Sequence, residues 1–328
     1  MAATMYVTPA GATTKTGATW ATAMSIVEFE ADVEGSAEAG DIYYVAGGTY
    51  TFTGDILTAL DGVAPDYISV IGVASGTSNE PPVYLDWAYN DDRPLFSVGE
   101  YTFQVDDLWK IFNIRAEGTD SWLLRADGFA IVYNCKATNT SEAGGDHGFY
   151  GGGSYARFIN CEGISTNGSA FVLSSFSTVI YCYAHDSASG FKFTADCCSA
   201  LFCIADTCST LGISLEDEFY HNLINNTVYN CGVGISNITI TSYGCIVINN
   251  IINDCTTGIS WNASTEGNFF MNNNLEGNGT EWTNPPVGIG VDHEKTTVDP
   301  QFTGANDFSL GSGSGCIDAG MSIVLGVG

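Results

Sequence analysis

Ile159-Asn160-Cys161-Glu162-Gly163, Ile180-Tyr181-Cys182-Tyr183-Ala184 and Leu201-Phe202-Cys203-Ile204-Ala205 are one five-residue phrase written three times. The phrase continues as Ile224-Asn225-Asn226-Thr227-Val228, Ile248-Asn249-Asn250-Ile251-Ile252 and Met271-Asn272-Asn273-Asn274-Leu275, its central position advancing by 21, 21, 23, 24 and 23 residues. Apolar or small residues at every second position describe a strand whose inward face is kept from one repeat to the next. On this reading Ile159, Ile180, Leu201, Ile224 and Ile248 stack inside, and Asn226, Asn250 and Asn273 continue the cysteine column as a ladder of buried amides.

A second set of columns phases the rest of each repeat. Gly190-Phe191, Gly212-Ile213, Gly234-Ile235 and Gly258-Ile259 recur at 22, 22 and 24 residues, with Ser187, Cys208, Cys231 and Cys255 aligned ahead of them. A unit of this length holding two or three short strands cannot bury its apolar face alone and must stack on its neighbours. Leucine-rich repeats would need a leucine signature that is missing, and helical repeats need longer units with fewer Asn and β-branched residues.

These columns resemble the right-handed parallel β-helix superfamily, which includes pectate lyases, polygalacturonases and bacteriophage tailspikes. The opening, Tyr6-Val7-Thr8-Pro9-Ala10-Gly11 through Thr19-Trp20 to Gly40-Asp41-Ile42-Tyr43-Tyr44-Val45-Ala46-Gly47-Gly48-Thr49-Tyr50, is similar to that group's lead-in. The ending, Val298-Asp299-Pro300-Gln301-Phe302, Asp307-Phe308-Ser309-Leu310 and Cys316-Ile317-Asp318-Ala319-Gly320, is similar to its exit. The resemblance implies an all-β, single-stranded parallel β-helix. It leaves the chemistry open, because lyases, hydrolases, epimerases and inert fibres share the scaffold. The expected organisation is a lead-in and cap over residues 1–55, coils over 56–275 and an irregular exit over 276–328. A short capping helix is expected at residues 20–30, with Thr19 as N-cap and Trp20, Ala23, Met24 and Val27 at helical spacing.

Thirty-seven acidic against nine basic residues leave a net charge of −28. Such a surface repels phosphate backbones and excludes nucleic acid as a partner; it also repels polyuronates unless cations bridge the two. No stretch is long and apolar enough to span a membrane. The first residues carry no secretory signal pattern, so the expected location is a virion surface or the extracellular space. Eleven cysteines is an odd number at coil-period spacing, which favours free thiols packed as small hydrophobes over a disulfide framework.

Counting from the aligned glycines places Asp196 and Glu218 at one position of neighbouring coils, beside Glu216 and Asp217. These are the catalytic candidates, Asp196 and Glu218, and the metal candidates, all four. The oxygen-rich set suits a hard cation such as Ca²⁺, and the alternative is a solvated acidic turn. No cofactor is required. His147 and His185 adjoin Asp146 and Asp186, but strand neighbours point to opposite faces, so neither pair reads as a dyad. The polygalacturonase pattern of Gly-His-Gly with Asp-Asp is approached only by Asp146-His147-Gly148 and Asp106-Asp107, and Arg157 and Lys192 are the nearest to a lyase base.

The candidate binding surface is aromatic: Tyr181 and Tyr183 on one coil and Phe202 and Ile204 on the next are expected to face solvent, able to hold sugar rings or a neighbouring subunit. The function expected is therefore a non-enzymatic recognition protein, a virion decoration or fibre component contacting a glycan, another virion protein or a further copy of itself. The alternative is an extracellular polysaccharide lyase or glycoside hydrolase.

Overall fold

The computed structural model describes residues 2–58, 61–82, 92–142, 144–216, 219–238, 243–261, 267–284, 297–304, 307–317 and 319. It divides into two units, Met1–Tyr183 and Ala184–Gly328. Each is a right-handed parallel β-helix.

In the first unit three parallel sheets wind round the core. The first stacks Thr4–Val7, Ile42–Ala46, Ile68–Val73, Trp109–Phe112, Ile131–Tyr133, Arg157–Ile159 and Thr178–Ile180. The second stacks Ile56–Leu57, Phe103–Val105, Trp122–Ala126, His147–Gly151 and Ser169–Leu173. The third stacks Thr49–Thr51, Leu95–Gly99, Arg115–Gly118, Lys136–Asn139 and Glu162–Ser165. Phe149, Phe158 and Phe171 fill the centre, Phe149 and Phe171 lying parallel with ring centres 4.8 Å apart.

The second unit repeats this plan. One sheet stacks Ser199–Leu201, Asn222–Ile224, Ile246–Ile248 and Phe269–Met271. Another runs Ser189–Phe193, Leu211–Leu215, Val233–Asn237, Thr257–Trp261 and Thr280–Thr283. The third runs Ile204–Asp206, Thr227–Tyr229 and Ile251–Asn253. The exit folds into an antiparallel pair, Phe302–Gly304 with Asp307–Leu310, whose Phe302 and Phe308 pack against Tyr229.

The cysteine and asparagine column is inside as expected, but the isoleucine column is not. Ile159, Ile180, Leu201 and Ile224 are half-buried, while Phe158, Val179, Ala200 and Leu223, one position earlier, are fully buried; only Ile248 of the expected set is buried. The cause lies between the two columns. Asn160, Tyr181, Phe202, Asn225, Asn249 and Asn272 all take a left-handed conformation, φ 53° to 58°, and one left-handed residue turns the chain through a corner and breaks the two-residue alternation.

The helix also differs from expectation. Trp20–Thr22 is a single 3₁₀ turn, and the α-helix runs Ile26–Gly35, with Ser25 and Glu28 forming a capping box. Val27 is exposed, and Phe29 and Val33 are the residues buried. Phe29 caps the first coils, its ring 5.4 Å from Tyr43, 6.3 Å from Phe96 and 6.4 Å from Phe103. Thr19 does form a capping box, with Thr22, but it caps only the 3₁₀ turn, and the Ser-x-x-Glu box at 25–28 opens the α-helix.

Candidate functional site

The residues expected to bind or catalyse fall in different places. Tyr181 belongs to the first unit and Phe202 to the second; each occupies its coil's left-handed corner rather than a flat sheet face, and they are 57% and 45% exposed. Tyr183 and Ile204 are half-buried. In the second unit Asp196 accepts the backbone N–H of Phe219 through Oδ1 at 2.8 Å, and Glu216 is paired with Lys192 at 3.0 Å. Asp217 and Glu218 lie outside the described residues. The expected opposite-face placement of His185 and Asp186 does not hold: His185 Nδ1 lies 2.7 Å from Asp186 Oδ2, because Asp186 is itself a left-handed corner residue with φ 48°. His147 is occupied differently, its Nδ1 accepting the backbone N–H of Ser169 at 3.1 Å.

A richer group stands on the outward face of the first unit's second sheet. Phe103, Val105, Leu124, Ala126 and Phe149 are buried there, so the intervening Gln104, Arg125 and Tyr150 point outward, and they are in register across three coils. Trp122 pairs with His147 on the same face. The Trp122 and Tyr150 rings stack at 4.7 Å with 18° between their planes, and the Arg125 guanidinium lies 5.1 Å from the Trp122 ring centre and 5.6 Å from that of Tyr150.

Carboxylates complete this face. Arg125 Nε and Nη2 both lie 3.1 Å from Asp127, and Gln104 Nε2 donates to Asp127 at 3.0 Å and to Asp106 at 3.4 Å. Burial raises the pKa of Asp106, with the nearby charges of Asp127, Asp61 and Asp107 adding to it against the Gln104 hydrogen bond. Burial likewise raises Asp107, helped by Asp61 and Asp127. Gly128, at φ 50°, leaves room for Asp107, whose Oδ1 would meet a Cβ there at 1.3 Å. Asp106-Asp107 was visible in the sequence, but the plates of Trp122 and Tyr150 were not, since their spacing of 28 residues departs from the coil period.

Three inward columns carry thiols: Cys135, Cys161 and Cys182 in the first unit, and Cys208, Cys231 and Cys255 with Cys198, His221 and Cys245 in the second. All nine are buried. Burial pushes the Cys135 and Cys161 thiols well up, proton sharing along the column raises Cys231 and Cys255, and burial sets Cys245 at about 11.

Coil geometry, corner asparagines and sheet order together define a pectate-lyase-like right-handed parallel β-helix. Pectate lyase Pel9A superposes with a TM-score of 0.56 at 15% identity, covering 98% of this chain and 92% of the enzyme. Dettilon tailspike protein gives 0.54 at 15% identity over 91% and 63%, and the PL6 alginate lyase AlyGC gives 0.52 at 14% over 84% of this chain and 38% of that one. At these identities the likeness is one of fold. Within that class the chain belongs to the family described as periplasmic copper-binding protein (NosD), which matches residues 122–306. No curated protein matches it.

Among the described residues the donor set does not fit a copper centre. Copper needs converging soft-sulfur or neutral imidazole ligands, whereas no three His, Cys, Asp or Glu side chains converge among the described residues, and burial holds the Cys135, Cys161 and Cys245 thiols above their ordinary pKa. Nor does any described helix have the length and apolarity to cross a membrane.

Proposed function

We propose that this protein recognises a glycan without cleaving it, as a β-helix displayed outside the cytoplasm or on a virion. The observation that carries the reading is the Trp122–Tyr150 stack flanked by Arg125, Gln104 and Asp127, which combines apolar plates for sugar C–H faces with donors and acceptors for hydroxyls. The exposed corner residues, Tyr181 in the first unit and Phe202 in the second, are each separate candidate contacts for a glycan or a partner subunit. Support also comes from the fold's use by both a tailspike and polysaccharide lyases.

A second reading rests on Asp106, raised by burial, and Asp127, which Arg125 holds. A carboxyl raised by burial beside an Asp forked by arginine is the division of labour of a glycoside hydrolase acid and its partner.

A glycan-binding screen followed by titration calorimetry, with an assay for new reducing or unsaturated ends, tests both. Trp122→Ala with Tyr150→Ala is expected to weaken binding by about tenfold to several hundredfold at unchanged melting temperature, with no new ends from the wild type. Binding lost only through Tyr181→Ala or Phe202→Ala would move the site to the corners. Turnover that Asp106→Asn abolishes in a stably folded protein would favour the hydrolase.

A further inference from the structure

None of the strands that form the first sheet of the first unit holds an aspartate or glutamate, in a chain with 37 acidic residues and a net charge of −28. Val132, Phe158 and Val179 are buried there, so the residues on either side of each point outward. One outward column is Lys110, Ile131, Arg157 and Thr178; the next is Phe112, Tyr133, Ile159 and Ile180, each in register from coil to coil. A third column precedes the strands, where the Phe129 and Tyr155 rings stack at 4.7 Å and those of Tyr155 and Phe176 at 4.9 Å, with 4° and 15° between their planes. Phe129, Tyr133, Tyr155 and Phe176 are 47%, 42%, 40% and 46% exposed, an aromatic patch in contact with water. The charges on this face are cations without an ion pair among the described residues: Lys110 Nζ lies 4.0 Å from the Tyr67 ring centre, and Arg157 is exposed.

We propose that this face docks a second copy of the same chain, the two sheets meeting about a twofold axis. Charge selects the occupant. Acidic surface repels another copy of so acidic a chain, whereas here two copies approach with no carboxylate set against a carboxylate. A flat face whose columns run in register can oppose itself across a twofold axis, which is the closed arrangement of a dimer. The exposed rings of the facing copy also offer the π surface that Arg157 lacks in the single chain. Strands about 4.8 Å apart, rising about 3.3 Å per residue, give a face of roughly 500 Å² in projection, of the same order as the ~800 Å² each partner buries in a stable complex. The Trp122–Tyr150 stack lies on the second sheet, so the glycan reading neither requires this contact nor falls with it.

Sedimentation velocity on the full chain, from about 1 to about 100 μM and at about 50 and 500 mM salt, tests this. The wild type should pass from monomer to dimer as its concentration rises. Added salt should tighten the dimer, because it screens the repulsion between two acidic bodies while leaving the apolar contact in place. Phe129→Glu with Tyr133→Glu should weaken the dimer by about tenfold or more at unchanged melting temperature, since both side chains are exposed in the single chain. Arg157→Glu, a single change on the same face, should weaken it as well and decides the matter should the aromatic double variant fail to fold. Val27→Glu, exposed on the capping helix, should dimerise as the wild type does. The proposal falls if the wild type stays monomeric throughout, if the dimer survives these changes undiminished, or if the assembly exceeds two copies. Dissociation by salt would also overturn it, marking an ionic contact with an acidic surface. So would a monomeric wild type whose glycan binding these variants abolish, which would give the face to a glycan.

Discussion

Asn250 sits in the second unit with both amide atoms engaged. Its Oδ1 accepts from the backbone N–H and the side-chain Nδ2 of Asn226 at 2.9 and 3.0 Å, and its Nδ2 donates to the Leu223 carbonyl and to Asn273 Oδ1, both at 2.9 Å. Asn250→Leu would orphan the Asn226 N–H and the Leu223 carbonyl inside the core, so a loss of about 2 kcal/mol or more in unfolding free energy is expected despite the added apolar volume. Urea denaturation measures it, and an unchanged midpoint would remove the ladder from the account of stability. His221 offers the opposite case: fully buried, both ring nitrogens without a partner among the described residues, and held by burial to a pKa of about 4. Between its ordinary pKa of about 6.5 and 4 the unfolded chain binds a proton that the folded chain refuses. Stability is therefore lost as pH falls through that window, by about 3 kcal/mol in all. His221→Leu lacks this component, so the difference in unfolding free energy between wild type and variant should change by that amount between about pH 7 and pH 4; a pH-independent difference would exclude the assignment.

At the level of the coil, the repeated element is a strand, a left-handed corner and a second strand. In the first unit the corner residues bond to one another, Asn134 Nδ2 donating to Asn113 Oδ1 at 2.7 Å and Asn160 Nδ2 to Asn134 Oδ1 at 3.1 Å. Asparagine tolerates positive φ and supplies an amide for this outer ladder, which sequence reading missed although Asn113, Asn134 and Asn160 each precede an inward residue. The thiol columns also belong to this scale. All eleven cysteines are free, and only Cys197 and Cys316 are not buried. A thiol reagent is expected to label those two quickly in the folded protein and all eleven after unfolding without reductant. Fewer than about half reacting would mean that disulfides form despite coil spacing that does not supply their geometry.

For the whole molecule, the period of the repeat was legible because inward columns tolerate little variation, and it yielded fold class, strand register in each unit and the buried amide ladder. The 22-residue step from Gly190 to Gly212 reappears as the pairing of Phe191 with Ile213 and Phe193 with Leu215. What sequence alone determined was thus the coil and the inward cysteine and asparagine column of its core. Which side chains face outward past each corner was decided by the tertiary structure, since a single left-handed residue resets the parity on which that reading rests, moving Ile159 outward and bringing His185 to Asp186. The same holds for the outward groups. Gln104, Arg125 and Tyr150 come from three successive coils, as do Phe129, Tyr155 and Phe176, and only the stacking of coils about 4.8 Å apart brings them within reach of one another.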